Sequence, residues 1–224
     1  MMCRLKQAVA GIAGAGVLAG MVIVGVLLAG TVQAKAQGKI GAAPPVTYKN
    51  KYELYGGLNV MNFMAGDGLP KRMVLGGGEL QGTYWLTKHV GLSADYRGEA
   101  GTTPVLPNPY NINRPLVYMN MGLLGAQYRG PKNQYGAVNF HGFFGAAHGV
   151  FDSSTGQVAA QYANLGMYSN STKPIAAIGG SIDLNRSKRW AIRMSPDLIL
   201  ERFGTGTREF FALSGGVVYR FGKN

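Results

Sequence analysis

The 224-residue sequence contains a single cysteine, Cys3, only three histidines and only ten acidic residues. One cysteine at the very start excludes a disulfide framework and any cysteine-based metal site in the rest of the chain. His89, His141 and His148 show no metal-ligand spacing. Phosphate loops are missing too. Gly11–Gly16 fall in an apolar run, and Gly76–Gly78 are not followed by Lys-Ser or Lys-Thr. Charged residues are 14 % of the chain, against roughly 25 % in ordinary soluble domains. The charges present are mostly basic, giving +12. They are scattered, with no basic helix and no zinc-finger spacing, which argues against a nucleic-acid partner. No cofactor or metal is implied.

Abundant instead are 35 glycines and 12 tyrosines. That mixture suits short strands, tight turns and aromatic belts better than a helical bundle. Residues 1–36 have the form of a secretory signal peptide. Arg4 and Lys6 give a positive start, Ala8 to Val32 carry no charge, and Val32-Gln33-Ala34 and Ala34-Lys35-Ala36 offer small-residue cleavage patterns. The long apolar run leaves an uncleaved inner-membrane anchor as the alternative. Residues 37–51, with Gly41, Pro44 and Pro45, have no periodicity and are expected to form a periplasmic linker.

From Tyr52 onward the pattern has a period of two. In 52–63, Tyr52, Leu54, Leu58 and Val60 share one face, and Glu53, Tyr55 and Asn59 the other. Further strands are expected over 73–86, 90–98, 116–128, 137–150, 174–185 and 190–201, and a last one over Ser214–Phe221. The fourth is ambiguous in register, because Met119, Met121 and Leu123 oppose Tyr118, Leu124 and Tyr128. Pro196 inside the seventh predicts a bulge. Eight strands in 52–224 predict an all-β fold, an antiparallel up-and-down transmembrane β-barrel. Connection lengths agree. The long stretches 99–115 and 151–173 are the third and fifth connections, while 87–89, 129–134 and 186–188 are short. Long loops outside and short turns in the periplasm are the rule for such barrels. A soluble ligand-binding barrel, such as a lipocalin, would need polar outward faces, and these are Leu, Ile, Val and Tyr.

The inward faces carry Glu53, Glu79, Asp95, Arg97, Asp183, Arg193, Asp197, Glu201 and Arg220. An eight-stranded barrel is just wide enough for side chains to fill, so a lumen charge network is expected. A narrow ion or small-solute channel through those charges is the alternative. An enzyme is not expected. The weak exception is a rim-located lipid-modifying site, since His148 lies close in sequence to Asp152, Ser153 and Ser154. His89 falls in a turn and His141 faces inward. Lys71, Arg72, Arg114, Lys173 and Arg208 fall at outer strand ends, where lipopolysaccharide phosphates would lie.

Several stretches carry a family resemblance: Tyr55-Gly56-Gly57, Phe143-Phe144-Gly145-Ala146-Ala147-His148, Ile178-Gly179-Gly180-Ser181-Ile182-Asp183 and Ala191-Ile192-Arg193. Over about 52–222 the chain resembles the small bacterial outer-membrane β-barrel group, related to the transmembrane domain of outer membrane protein A. The resemblance implies the bacterial outer membrane, an outer-membrane lipid environment and a monomer. It also implies that Ser214, Gly216, Tyr219 and Phe221 form the signal read by the outer-membrane assembly machinery. The sequence departs from that relative in its Gly222-Lys223-Asn224 tail and in lacking a peptidoglycan-binding domain after the barrel. What the resemblance implies about role is coarse, a structural or surface-interaction protein.

Overall fold

The computed structural model describes Val46, Tyr48–Phe151 and Ala159–Lys223. The expected signal peptide lies outside the described residues. Eight strands follow in order: β1 (Asn50–Phe63), β2 (Met73–Trp85), β3 (Val90–Thr102), β4 (Leu116–Lys132), β5 (Gly136–Val150), β6 (Ser171–Asn185), β7 (Trp190–Glu201) and β8 (Arg208–Lys223). Each pairs antiparallel with the next, and β8 closes on β1. A short helix, α1 (Ala159–Asn164), sits in the connection between β5 and β6.

All eight expected strands form, and most are longer than the sequence pattern suggests. β3 continues to Thr102, β4 to Lys132, and β8 begins at Arg208. The alternation continues as far as Arg129, and Gly130 and Pro131 lie within β4 at an irregularity in its pairing with β5. The register of β4 resolves with Val117, Met119, Met121 and Leu123 inside and Tyr118, Leu124 and Tyr128 outside. The expected bulge at Pro196 does not form. β7 pairs with β6 in the same register on both sides of it, through Gly179↔Asp197 and Ile182↔Met194. Proline only withholds one N–H there. The register shift that does occur is between Arg129 and Lys132 of β4.

Following ladder partners once around the barrel leads from Val138 through Ile182, Met194, Gly215, Leu58, Gly78, Gly98 and Asn120 to His148. The path returns to β5 ten residues further on. That stagger is what tilted strands need in order to close.

The three short turns are held by their own side chains. Thr87 Oγ1 accepts the N–H of Val90 at 2.9 Å, and Ser187 Oγ accepts that of Trp190 at 3.0 Å. Asn133 Oδ1 accepts the N–H groups of Tyr135 and Gly136 at 2.8 and 2.9 Å. Hydroxyl and amide side chains are favoured in turns because they take up such backbone donors.

The outer wall is apolar. Leu58, Val74, Leu80, Leu124, Phe144 and Ile178 are all exposed. At the short-turn end an aromatic row runs across β7, β8, β1 and β2. Trp190 meets Tyr219 (4.7 Å between ring centres), Tyr219 meets Phe221 (5.8 Å), Phe221 meets Tyr52 (5.4 Å) and Tyr52 meets Tyr84 (5.2 Å). A soluble protein rarely exposes so continuous an apolar surface. A bilayer core flanked by interfacial aromatics accounts for it.

At the closing seam Gly216 lies opposite Gly57. A Cβ on Gly216 would run into the backbone of Gly56 and Gly57, whereas one on the neighbouring Gly215 would point into open space. Gly216→Leu is therefore expected to abolish the faster gel mobility of unheated folded barrel. Gly215→Leu should retain it. Equal behaviour of the two variants would refute the close approach at the seam.

Candidate functional site: the barrel interior and its two ends

The interior is built in three layers. The first lies within three residues of the strand ends at the short-turn side and contains Glu53, Arg129, Asp183, Arg193 and Arg220. Glu53 accepts hydrogen bonds from Arg129, from Arg220 Nε at 2.9 Å and from Arg193 Nη2 at 3.2 Å. Asp183 accepts from Arg193 Nε at 2.6 Å and from Arg220 Nη2 at 2.7 Å. Arg193 also donates to Gln81 at 2.9 Å, and Arg220 to Asn185 at 2.6 Å. Two carboxylates thus bind three guanidinium groups from β4, β7 and β8. All five side chains are buried, so each charge depends on its partners.

Tyr48 closes this layer from below. Its backbone has φ of 54°, the left-handed region that non-glycine residues rarely occupy. That bend turns the ring under Arg129 and Arg220, at 5.0 and 5.1 Å from the ring centre. Its hydroxyl donates to the Asn133 carbonyl at 2.9 Å and accepts from Asn185 Nδ2 at 2.7 Å. Burial raises the Tyr48 pKa, partly offset by the hydrogen bond from Asn185.

The second layer surrounds Arg97. Its Nε donates to Asp95 at 2.8 Å and lies 3.6 Å from Glu79, and its Nη2 donates to Asp197 at 2.5 Å. His141 Nε2 is 2.7 Å from the other Asp197 oxygen, and its ring stacks on Phe143. Asn59 donates to Glu79 at 3.3 Å.

The third layer is apolar. Met61, Phe63, Leu75, Met119, Met121, Phe143, Ile175, Ile199 and Phe210 are buried together above the charges. Two acids interrupt it. Glu201 accepts the Phe203 N–H at 2.6 Å. Glu99 is 4 % exposed, and neither of its carboxylate oxygens has a hydrogen-bond partner among the described residues.

Long loops cover this end. Phe151 packs edge-on against Phe203 and Tyr168, at 5.3 and 5.6 Å. The Tyr168 N–H donates to the Ala65 carbonyl at 2.9 Å, and its hydroxyl to Asp67 at 2.9 Å. Asn164 donates to the Tyr110 hydroxyl at 3.1 Å, which ties α1 to the β3–β4 loop. Asn108 organises that loop, accepting from the N–H groups of Tyr110 and Ile112 at 3.1 and 3.2 Å. Between these loops lies a cleft of about 650 Å³, lined by Leu69, Pro70, Leu106, Asn108, Tyr110 and Leu165, among others.

All nine inward charges named from the sequence are buried. Eight form the two charge clusters, and Glu201 stands apart. Sequence reasoning missed Arg129, which sat in an expected turn, and Glu99, assigned to a loop. Both continue a visible alternation, Gln127 to Arg129 and Arg97 to Glu99. Tyr48 had no periodic signal at all. Lys71, Arg72 and Arg114 are exposed at the long-loop end and Lys173 is half-buried. Arg208 pairs with Asp67, so it is already engaged. Arg202 is a further exposed base there. Ser214 faces inward, and Tyr219 and Phe221 face outward in the aromatic row. His148 Nδ1 contacts Thr172 Oγ1 at 2.9 Å, while Asp152, Ser153 and Ser154 lie outside the described residues.

No protein-family model matches the sequence, and no curated protein matches it. Solved structures do match. Neisserial surface protein A aligns with a TM-score of 0.52 at 8 % identity, over 76 % of this chain and 97 % of that one. The outer membrane protein OprG of Pseudomonas aeruginosa aligns with a TM-score of 0.50 at 12 % identity, over 81 % and 99 %. At such identities the likeness is one of fold. The chain has the fold of the small eight-stranded outer-membrane barrels. With its apolar wall and aromatic row it is an outer-membrane barrel.

Two outcomes follow. Asp183→Leu removes one of the two carboxylates that hold Arg193 and Arg220, and should cost about 3–5 kcal/mol in urea unfolding from vesicles. Arg208→Gln at the half-exposed pair with Asp67 should cost less than about 1 kcal/mol. Similar costs for both would contradict the layered interior. At the cap, burial and the hydrogen bond to Asp67 hold the Tyr168 pKa above its ordinary value of 10.0. A raised pKa means the folded cap favours the protonated phenol, so this stabilisation is present below pH 10 and is lost as pH rises beyond it. Protease sensitivity of the loops should increase above about pH 10, with Tyr168→Phe blunting the change; an identical profile in the variant counts against it.

Proposed function

We propose that this protein is a sealed outer-membrane barrel with a structural or surface-interaction role, and that its working surface is the loop cap at the outer end. The observation carrying this reading is the apolar layer. Met61, Met121, Phe143, Ile175 and Phe210 fill the interior above two charge clusters. A conducting path needs polar groups or water from end to end. Here an apolar layer, broken by Glu99 and Glu201, lies above the charge clusters, and Tyr48 packs under Arg129 and Arg220 at the other end. The interior charges are then a structural network that fixes strand register across the lumen. The rim-enzyme alternative would rest on His148, whose ring contacts Thr172.

The loops give the cap a defined shape, and loops carried on a rigid scaffold are where binding usually resides. The cleft beside Asn108 and Tyr110 is a concavity on that surface. In this reading Lys71, Arg72, Arg114 and Lys173 meet lipopolysaccharide phosphates, with Arg208 held back by Asp67. Ser214, Gly216, Tyr219 and Phe221 are the residues through which the assembly machinery would recognise β8 during insertion. The barrel acts as a monomer in this reading.

Planar-bilayer recording of the purified, folded protein tests it. Silent membranes are expected at protein levels that give heat-modifiable barrel in the same lipid. A steady unitary conductance would establish the channel reading instead.

A further inference from the structure

The periplasmic end of the barrel carries a one-signed ring. Lys88 lies in the β2–β3 turn, Lys132 at the end of β4, Arg186, Lys188 and Arg189 in the β6–β7 turn, and Lys49 and Lys51 at the start of β1. Lys49, Lys88, Arg186, Lys188 and Arg189 are exposed. No acidic side chain offsets them. Among the described residues every acid near this end is inside the barrel, as Glu53 and Asp183 are, and the sequence ahead of β1 contains none. Among the described residues the ring's members have no carboxylate partner, unlike the buried arginines.

Its position is informative. The basic residues lie just beyond the aromatic row of Trp190, Tyr219, Phe221, Tyr52 and Tyr84, and one contact joins the tiers: Arg189 donates to the Tyr219 hydroxyl at 3.4 Å. Interfacial aromatics sit at headgroup level, so bases immediately beyond them reach the phosphate plane. The charges also come from several points of the circumference: the β2–β3 and β6–β7 turns, the end of β4 and the lead-in to β1. A protein or polymer docking on one side would call for a patch. A ring matches a leaflet that surrounds the barrel. Beside it, on the lipid side of β1 to β4, a hollow of about 680 Å³ lined by Tyr52, Leu54, Tyr84, Leu92, Leu124 and Phe221 offers an acyl chain a seat.

We propose that this ring binds anionic phospholipid headgroups of the periplasmic leaflet, so that the barrel gathers an acidic lipid annulus. The proposal rests on the outer-membrane reading above. Bases near an anionic surface add attraction residue by residue, within a Debye length of the headgroups.

The test uses the full chain folded into vesicles of phosphatidylcholine with phosphatidylglycerol, and spin-labelled probes of each lipid. Motionally restricted phosphatidylglycerol should exceed phosphatidylcholine severalfold at low salt, and the excess should fall in 0.5 M NaCl, where screening shortens to about 4 Å. The triple variant Arg186→Gln, Lys188→Gln, Arg189→Gln should lose much of that excess. A Lys71→Gln, Arg72→Gln variant at the other end should lose less. Ser187 is left intact because it holds the turn, and the salt titration of the unaltered protein is independent of any variant's folding. Equal restriction of the two lipids in the unaltered protein overturns the proposal while leaving the barrel reading standing. So does a salt-sensitive cosedimentation with peptidoglycan in the absence of lipid selectivity, which would assign the ring to the cell wall. A chain that never acquires heat-modifiable mobility in any vesicle overturns both readings.

Discussion

Backbone hydrogen bonding in a medium without water is the constraint on which everything else depends. Each N–H and C=O along a membrane-spanning strand needs a partner on a neighbouring strand, and an open edge cannot be left in lipid. The β1–β8 seam supplies the last partners, from Asn50↔Lys223 to Met61↔Ala212. Closure with eight strands and a stagger of ten residues fixes a narrow cylinder. Such a cylinder has room for side chains and little else. Filling it is therefore part of folding, and the choice of filling decides what the barrel can do.

The filling is divided by depth. Arginines and carboxylates occupy the periplasmic half, where five strands contribute to the cluster around Glu53 and Asp183. Sulfur, aliphatic and aromatic side chains occupy the outer half and merge with the loop cap through Phe151, Phe203 and Tyr168. The charged half orients strands against one another, because each guanidinium has a fixed fork of donors that only one arrangement of carboxylates satisfies. In the proposed reading the apolar half seals the barrel. This allocation also governs the exterior. Seven of the chain's ten acids, namely Glu53, Glu79, Asp95, Glu99, Asp183, Asp197 and Glu201, are buried in the interior. Bases are left to dominate both rims, and the two rims face different leaflets.

Much of the fold was legible in the sequence because a period of two is a strong signal over twelve or more residues, as in 52–63 and 190–201. Loop parity added an independent check that did not depend on any single strand boundary. The inward charges were legible for the same reason. What escaped had a physical cause. Arg129 and Glu99 belong to strands that run on past the residues where turns and loops were expected, since pairing with a neighbour overrides local turn preference. The plug was hidden by composition. Met119, Met121 and Leu123 are apolar on an inward face, and alternation alone cannot tell a greasy interior from a lipid-facing wall. Tyr48 could not be found by pattern, because its position depends on one left-handed backbone conformation and on partners at Asn133 and Asn185.

The central claim, a closed and sealed barrel, is tested most directly by single-cysteine labelling along β8 in a Cys3→Ser background, in vesicles. Cysteines replacing Val217 and Tyr219 should react with a membrane-soluble maleimide, and those replacing Ala212 and Val218 should resist both that reagent and a water-soluble one. Modification of the inward positions by the water-soluble reagent would contradict the account.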